Sequence, residues 1–262
     1  MAADRTSGRG PVKLPGCVLP AELVEIDVTA ALDPSDLDIS EERAAPESPT
    51  GPAVTDRARK KRSVEIFAVA GLEAIVDGDA LLRAHAPEEP PYWALVWIGA
   101  RAIAAQMLAT PPSARMRVLD LGCGLGLSGI AAASGGAHVT FADYVPQALE
   151  FVRASAAHHA IPPERFAIRT LDFTREEPPE RYDVVLAADV VYEPEAYGPL
   201  VDFLCSALAP RGTLWLTETL RADARRVLEA LRARGLLLET TASWVIEEGR
   251  AERTWLHRLV WS

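Results

Sequence analysis

The feature that most restricts the fold is a regular alternation of apolar and amphipathic segments after residue 116. Five short apolar segments are each followed by a segment with helical spacing or by a polar loop, a pattern typical of parallel strands covered on both faces. These five segments are 116–122, 138–144, 165–173, 182–192 and 212–219. Two further β-prone segments, LETTASWVIEE and RTWLHRLVW, flank a polar turn near the end of the chain. The pattern predicts an α/β fold with a seven-stranded sheet, mostly parallel, that ends in an antiparallel hairpin.

The chain divides into two parts by composition. Residues 1–62 are rich in Pro, Ser, Asp and Glu, lack a sustained helical or strand period, and end in the basic run RARKKR, so we expect a flexible N-terminal tail. Residues 63–262 form the predicted domain. It begins with two β-prone pieces, 64–71 and 72–78, that suggest a hairpin, and continues after Pro90-Pro91 with a predicted amphipathic helix.

Composition narrows the class of protein. With 49% hydrophobic residues, the 262-residue chain can bury one sizeable core. A net charge of −10 opposes the broad phosphate attraction on which nucleic-acid binding relies. The three cysteines and five histidines do not fall at zinc-ligand intervals, which predicts reduced thiols, no metal site and a cytoplasmic protein. We see no signal peptide or bilayer-spanning segment and expect no membrane partner. The oligomeric state is undetermined.

A glycine-rich turn follows the first of the five strands. It contains Gly122, Gly124 and Gly126, preceded by Asp120 at the strand end. Ligands of open α/β sheets bind outside the carboxyl ends of strands, and glycines let the backbone approach a bound group. Residues 124–129 also satisfy the dinucleotide spacing G-x-G-x-x-G, which leaves an NAD-dependent dehydrogenase as a remote alternative. Asp120 argues against it, because a carboxylate repels a pyrophosphate but attracts a cationic amino acid moiety.

Two more acids end the next two strands. Asp143 is placed to accept hydrogen bonds from ribose hydroxyls, and Asp172 is placed to accept one from an adenine amine beside the apolar ring of Phe173. Each aspartate could instead cap a helix. Taken together with the glycines, the three acids predict S-adenosyl-L-methionine as the cofactor.

These motifs resemble those of a known family. VLDLGCGLG, FADYVPQAL and LDF are similar to the first three motifs of class I S-adenosylmethionine-dependent methyltransferases, whose sheet is Rossmann-like, over about residues 64–261. The preceding hairpin, the helix with Trp97, and the segment Asp189-Val190-Val191-Tyr192 resemble the family-16 enzymes, which include many protein-lysine methyltransferases. PYWALVWIGARAIA is similar to the enzymes that methylate the electron-transfer flavoprotein β subunit, whereas LTETLRADA departs from them.

The resemblance implies roles for three residues. Trp97 lines the cofactor pocket, and Asp189 and Tyr192 lie beside the transferred methyl group as catalytic residues. A lysine amine attacks only when neutral, so Asp189 would accept a hydrogen bond from it while Tyr192 packs on its stem. Capping of the next turn by Asp189 and simple packing of the loop by Tyr192 remain open. The predicted function is a protein-lysine N-methyltransferase with a protein substrate. The alternatives are a small-molecule N- or O-methyltransferase and a non-catalytic adenosylmethionine-binding protein.

Overall fold

The computed structural model describes residues 5–6, 10–15, 17–31, 62–71, 91–218, 224–247 and 250–262. The strands in this part of the chain are β1 (Arg5–Thr6), β2 (Val12–Lys13), β3 (Pro20–Asp27), β4 (Ala30–Ala31), β5 (Ser63–Val69), β6 (Arg117–Leu121), β7 (His138–Asp143), β8 (Phe166–Thr170), β9 (Tyr182–Ala188), β10 (Leu208–Glu218), β11 (Leu236–Glu247) and β12 (Arg250–Trp261). The α-helices are α1 (Ile98–Ala109), α2 (Leu127–Ala133), α3 (Pro146–His158), α4 (Tyr197–Ala207) and α5 (Ala224–Ala233).

The main sheet has the strand order β4-β11-β12-β10-β9-β6-β7-β8. The pairs β6–β7, β6–β9, β7–β8 and β9–β10 are parallel, whereas β10–β12 and β11–β12 are antiparallel. The predicted mostly parallel sheet with a C-terminal antiparallel hairpin is therefore confirmed. The two-residue strand β4 adds an eighth strand at the edge of β11.

Helices cover both faces of this sheet because the parallel strands are apolar on both sides. Val118 of β6 belongs to a buried cluster with residues of α1, α2 and α3, and its neighbour Leu119 belongs to a second cluster with residues of α4 and α5. The chain reverses its winding direction between β6 and β9, so the carboxyl ends of these two adjacent strands flank a crevice.

A second, smaller sheet is built from the N-terminal segment. Strand β3 pairs antiparallel with β5 over seven residues, and β1 and β2 pair with the other edge of β3. Ala21 and Ile26 of β3 are buried in the same cluster as α3. The expectation of a flexible tail over 1–62 is thus wrong for β3, because the alternation in PAELVEID supplies an apolar face that packs on the domain. Residues 32–61 lie outside the described residues.

Two local expectations concern the start of the domain. Strand β5 pairs with β3, and the second piece of the expected hairpin, 72–78, lies outside the described residues. The segment after Pro90 begins with a 3₁₀ turn at Tyr92–Ala94, and α1 starts only at Ile98, with Trp97 as its N-cap. Trp97 therefore lies on the connection before the helix. Within the described residues, every helix is too short or too polar to cross a bilayer.

Candidate functional site

A cavity of about 300 Å³ lies at the carboxyl ends of β6, β7 and β9. The glycine-rich turn and the segment 92–97 form two of its walls, and the residues after β9 form a third. Of the ten residues predicted for the site, nine line this cavity: Trp97, Asp120, Gly122, Gly124, Gly126, Asp143, Phe173, Asp189 and Tyr192. The exception is Asp172.

The glycine-rich turn needs glycine for both conformation and space. Gly124 has a φ of +50°, in the left-handed region that disfavours a side chain. A Cβ built on Gly124 would lie 2.9 Å from the carbonyl oxygen of Trp93. The turn therefore packs directly against the segment before α1, and this contact closes one side of the cavity.

Asp143 holds the glycine-rich turn in place. Its carboxylate is buried, and Oδ2 accepts a 2.8 Å hydrogen bond from the Gly124 N–H while Oδ1 accepts a 2.9 Å bond from the Val145 N–H. Each carboxylate oxygen has more than one acceptor position. The same carboxylate can therefore bind ligand hydroxyl groups while it orders the turn.

Asp120 is a second buried carboxylate in this cavity. Its side chain is 2% exposed, and Oδ2 accepts a 2.8 Å hydrogen bond from the Gly129 N–H in the first turn of α2. Burial raises the pKa of Asp120 to about 8, the Gly129 hydrogen bond opposes the shift, and the nearby charge of Asp143 adds to it. Two close buried acids favour a cationic ligand, which would relieve their repulsion.

Asp172 differs from the prediction. Its Oδ1 accepts hydrogen bonds from the N–H and the hydroxyl of Thr174, and its Oδ2 lies 3.3 Å from Nε of Arg175. The hydrogen bond from the Thr174 hydroxyl is the main reason that the pKa of Asp172 is lowered. The carboxylate thus stabilises the turn after β8, while the neighbouring Leu171 and Phe173 line the cavity.

Asp189 has an unusual backbone at the end of β9. Its φ is +52°, a left-handed conformation that is uncommon for residues other than glycine and is often found at functional sites. Its Oδ2 accepts a 2.9 Å hydrogen bond from the N–H of Gly99 in the first turn of α1. Through this bond Asp189 caps a helix that lies 90 residues earlier in the chain, rather than a turn next to it in sequence.

An aromatic wall, formed by Tyr92, Trp97 and Tyr192, lies beside Asp189. The ring of Tyr92 is 6.0 Å from that of Tyr192 and 6.0 Å from that of Trp97. The indole N–H of Trp97 donates a 3.0 Å hydrogen bond to the carbonyl of Tyr92, which fixes the orientation of the indole. Aromatic faces next to a carboxylate provide a favourable environment for an alkylammonium group.

The comparison with protein families decides the class. A family model described as lysine methyltransferase matches residues 93–229, which is more than half of the chain. The chain belongs to the lysine methyltransferase family. The family resemblance drawn from the sequence motifs is confirmed.

Curated relatives include methyltransferases that act on different proteins. The chain is 35% identical over 144 residues to the electron transfer flavoprotein beta subunit lysine methyltransferase of Xenopus laevis, covering 54% of this chain and 52% of that protein. It is 38% identical over 142 residues to the ribosomal protein L11 methyltransferase of Chromohalobacter salexigens, covering 52% of this chain and 44% of that protein. The chain therefore spans about half the length of the curated relatives it matches.

Solved structures show the same fold at low identity. A putative RNA methyltransferase of Pyrococcus horikoshii superposes with a TM-score of 0.50 and 16% identity, covering 70% of this chain and 92% of that chain. At this identity the likeness shows the Rossmann-like fold alone. The match to the lysine methyltransferase family includes all the cavity residues except Tyr92, whereas β3, β5 and the β11–β12 hairpin lie outside it.

Several cavity residues in this lysine methyltransferase domain were missed by sequence reasoning. Tyr92, Ser128, Tyr144 and Glu193 all line the cavity. Tyr144 and Glu193 directly follow predicted site residues, and Tyr92 lies in the aromatic PYW segment. These positions in the sequence could have indicated all three residues.

Cys123 also lines the cavity, and burial raises the pKa of its thiol well above the usual value, which disfavours a thiolate nucleophile. Within the described ranges no group of three or more His, Cys, Asp or Glu side chains is placed to hold a metal ion.

Proposed function

We propose that this chain is an S-adenosylmethionine-dependent protein-lysine N-methyltransferase. The observation that carries the proposal is a single cavity in which two buried carboxylates and the glycine-rich turn are continuous with Asp189 and the aromatic wall. The end of the cavity with the two carboxylates suits a cationic nucleoside, and the end with Asp189 and the aromatic wall suits an alkylamine. A methyl transfer between two such ligands requires that they share one enclosed space.

The residues present fit this cofactor. Asp143 would accept the ribose hydroxyls beside the Gly124 turn, and Asp120 would face the cationic part of the ligand. Leu171 and Phe173 supply an apolar surface for the adenine ring, a role that does not require the Asp172 carboxylate. Two buried carboxylates also disfavour the pyrophosphate of a nicotinamide dinucleotide, despite the G-x-G-x-x-G spacing.

The chain's own groups prepare the amine for attack. When bound, S-adenosylmethionine supplies an electrophilic methyl group on a sulfonium centre. A free lysine amine has a pKa of about 10.4 and must lose its proton before it can act as a nucleophile. Asp189, held by the Gly99 N–H, would accept a hydrogen bond from the amine and orient its lone pair. The aromatic wall would contact the lysine stem and exclude water.

Charge and thiol chemistry support the choice of partner and compartment. The net charge of −10 favours a basic protein segment over nucleic acid, and Glu193, exposed at the cavity, adds a negative group there. The two curated relatives, from Chromohalobacter salexigens and Xenopus laevis, are named as enzymes that methylate proteins. The free thiols of Cys17, Cys123 and Cys205 fit a reducing compartment, which makes the cytoplasm the proposed location.

A labelling experiment tests this proposal. The purified full chain is incubated with methyl-labelled S-adenosylmethionine and two lysates of the source organism, one untreated and one whose lysines have been chemically acetylated. We expect labelled protein bands in the untreated lysate and their loss after acetylation. Label confined to small molecules, or bands that persist after acetylation, would contradict a lysine substrate.

A variant and a binding measurement separate the remaining alternatives. Asp189→Asn keeps the size of the side chain and tolerates the left-handed backbone. It should retain cofactor binding by calorimetry and lose methyl transfer. An unchanged rate of methyl transfer in this variant would show that the Asp189 carboxylate is not needed for the reaction. Binding of NADH without binding of S-adenosylmethionine would instead indicate a dehydrogenase.

A further inference from the structure

We infer that Thr217, at the carboxyl end of β10, is a positioning residue for methyl transfer that acts through Asp189. The inference rests on the proposed function and extends it to a residue outside the cavity. Sequence reasoning did not select Thr217, which lies in the segment LTETLRADA where the chain departs from the flavoprotein-directed enzymes. The hydroxyl of Thr217 accepts a hydrogen bond from the Asp189 N–H at 3.3 Å.

The sheet register places this hydroxyl where Asp189 leaves the sheet. Thr217 of β10 is the parallel partner of Ala188, the last residue of β9, and Thr217 is completely buried. Asp189 then turns into the left-handed region with a φ of +52°. The Asp189 N–H donates to the Thr217 hydroxyl at the point where the backbone turns, so this hydrogen bond stabilises the turned conformation.

Helix α1 completes the arrangement through Gly99. The Gly99 N–H donates to Oδ2 of Asp189, and a Cβ on Gly99 would overlap both that oxygen and the hydroxyl of Thr217. Three elements that are distant in sequence therefore meet at one carboxylate. The Thr217 hydroxyl holds the backbone of Asp189, and the Gly99 amide holds its side chain, so the orientation of the carboxylate is determined at both ends.

This orientation matters for the reaction because an amine attacks along one line. A carboxylate that rotates away no longer aligns the lone pair with the methyl group, and small misplacements of a reacting group reduce rates strongly. Loss of the Thr217 hydroxyl should free the Ala188–Asp189 peptide to rotate. The proposed cofactor contacts at Gly124, in the turn after β6, and at Asp143, the last residue of β7, should remain intact.

The test compares Thr217→Val, which removes the hydroxyl at constant shape, with Thr217→Ser, which keeps it. Methyl transfer to lysate protein is measured with labelled S-adenosylmethionine over a range of cofactor concentrations. We expect Thr217→Val to lower kcat about 10-fold with KM for the cofactor unchanged, since the Asp189 amide loses its hydrogen bond to the Thr217 hydroxyl. Thr217→Ser should stay within about twofold of the parent chain. Thr140→Val, at a buried threonine of β7, is the matched control for loss of a hydroxyl in the same sheet.

A double-mutant cycle separates positioning from a merely structural role. In an Asp189→Asn background, Thr217→Val should lower kcat less than it does in the parent chain, because the group that it positions has been replaced. Thr217→Ala replaces Thr217→Val if the latter does not fold. An equal loss of kcat in Thr140→Val, a parallel rise in the cofactor KM, or no recovery in Thr217→Ser would overturn the inference. Absence of methyl transfer in the parent chain would instead overturn the proposed function.

Discussion

The Gly124 N–H lies 2.8 Å from Oδ2 of Asp143 and donates a hydrogen bond to it, joining the glycine-rich turn after β6 to the end of β7. Strands β6 and β7 are adjacent and parallel, so the contact ties the turn after β6 to the end of β7 at the cofactor end of the cavity. A change at either residue should therefore disturb cofactor binding before it disturbs the remainder of the fold.

Asp143→Ala should weaken S-adenosylmethionine binding by about 10-fold to 100-fold. The change removes a charged acceptor from the Gly124 and Val145 N–H groups, and a hydrogen bond to a charged group contributes about 1.5–3 kcal/mol. Isothermal titration calorimetry measures the affinity. Asp172→Ala is the matched control, because its carboxylate lies outside the cavity lining, and it should change the affinity by less than about threefold. A large loss in the control would restore the adenine role predicted from the sequence.

Gly124→Ala should lower both the cofactor affinity and the stability. The new Cβ would lie 2.9 Å from the Trp93 carbonyl oxygen, on a backbone with a φ of +50°. A left-handed alanine costs about 1–2 kcal/mol, which urea unfolding can measure. The control is Gly198→Ala in α4, where a Cβ would meet open space, and the expected change is within about 0.5 kcal/mol. Equal losses in the two variants would show that the contact with Trp93 has no role.

Asp120 should make the stability of the cofactor-free chain depend on pH. Its pKa in the folded protein is about 8, above the value of about 3.9 expected in the unfolded chain. Between these values the folded state holds a proton that the unfolded state has released, so this group's contribution to the free energy of unfolding falls as the pH rises. Asp120→Asn does not titrate. Its unfolding free energy relative to the parent chain should therefore increase with pH between about 4 and 8 in urea titrations. A constant difference would contradict the raised pKa.

Arg101→Met should destabilise the chain by about 2–4 kcal/mol. The buried Arg101 donates from Nη1 to the Asp27 carbonyl at 3.1 Å, and its Nη2 lies 3.4 Å from Oε1 of Glu247. It thus links α1 to the N-terminal β3 and to the C-terminal hairpin. The control is Arg117→Met, because Arg117 forms an exposed pair with Glu180, and its expected loss is below about 1 kcal/mol. Similar losses in both variants would contradict the structural role of the N-terminal segment.

Much of the fold could be predicted because its signals are local. The apolar runs that become β6, β7 and β9 are visible within windows of a few residues. Asp120 and Asp143 lie at the carboxyl ends of β6 and β7, and the glycines follow β6 directly. Once parallel strands are inferred, their carboxyl ends must meet at one edge of the sheet. The position of the cavity and most of its lining residues follow from that geometry.

Other features depended on contacts between distant segments. Strand β3 has a short alternating pattern, but its partner β5 begins 36 residues after β3 ends, and the intervening polar residues obscured the pairing. Asp143 is the last residue of β7, whereas Asp172 lies two residues beyond the end of β8, and its carboxylate turns to Thr174 rather than to the cavity. The sequence alone placed both aspartates at strand ends, because it does not show where a strand stops or which way a carboxylate turns.

After residue 116 the sequence by itself determined the order of strands and helices, the glycine-rich turn and the acids at the strand ends. These features follow from the period of the apolar residues and from the steric freedom of glycine. Only the tertiary structure decided that Asp189 is held by Gly99 and Thr217, and that Tyr92 joins Trp97 and Tyr192 in one wall. The physical reason is that these contacts join segments far apart in the chain, so they form only when the sheet, α1 and the loops pack together.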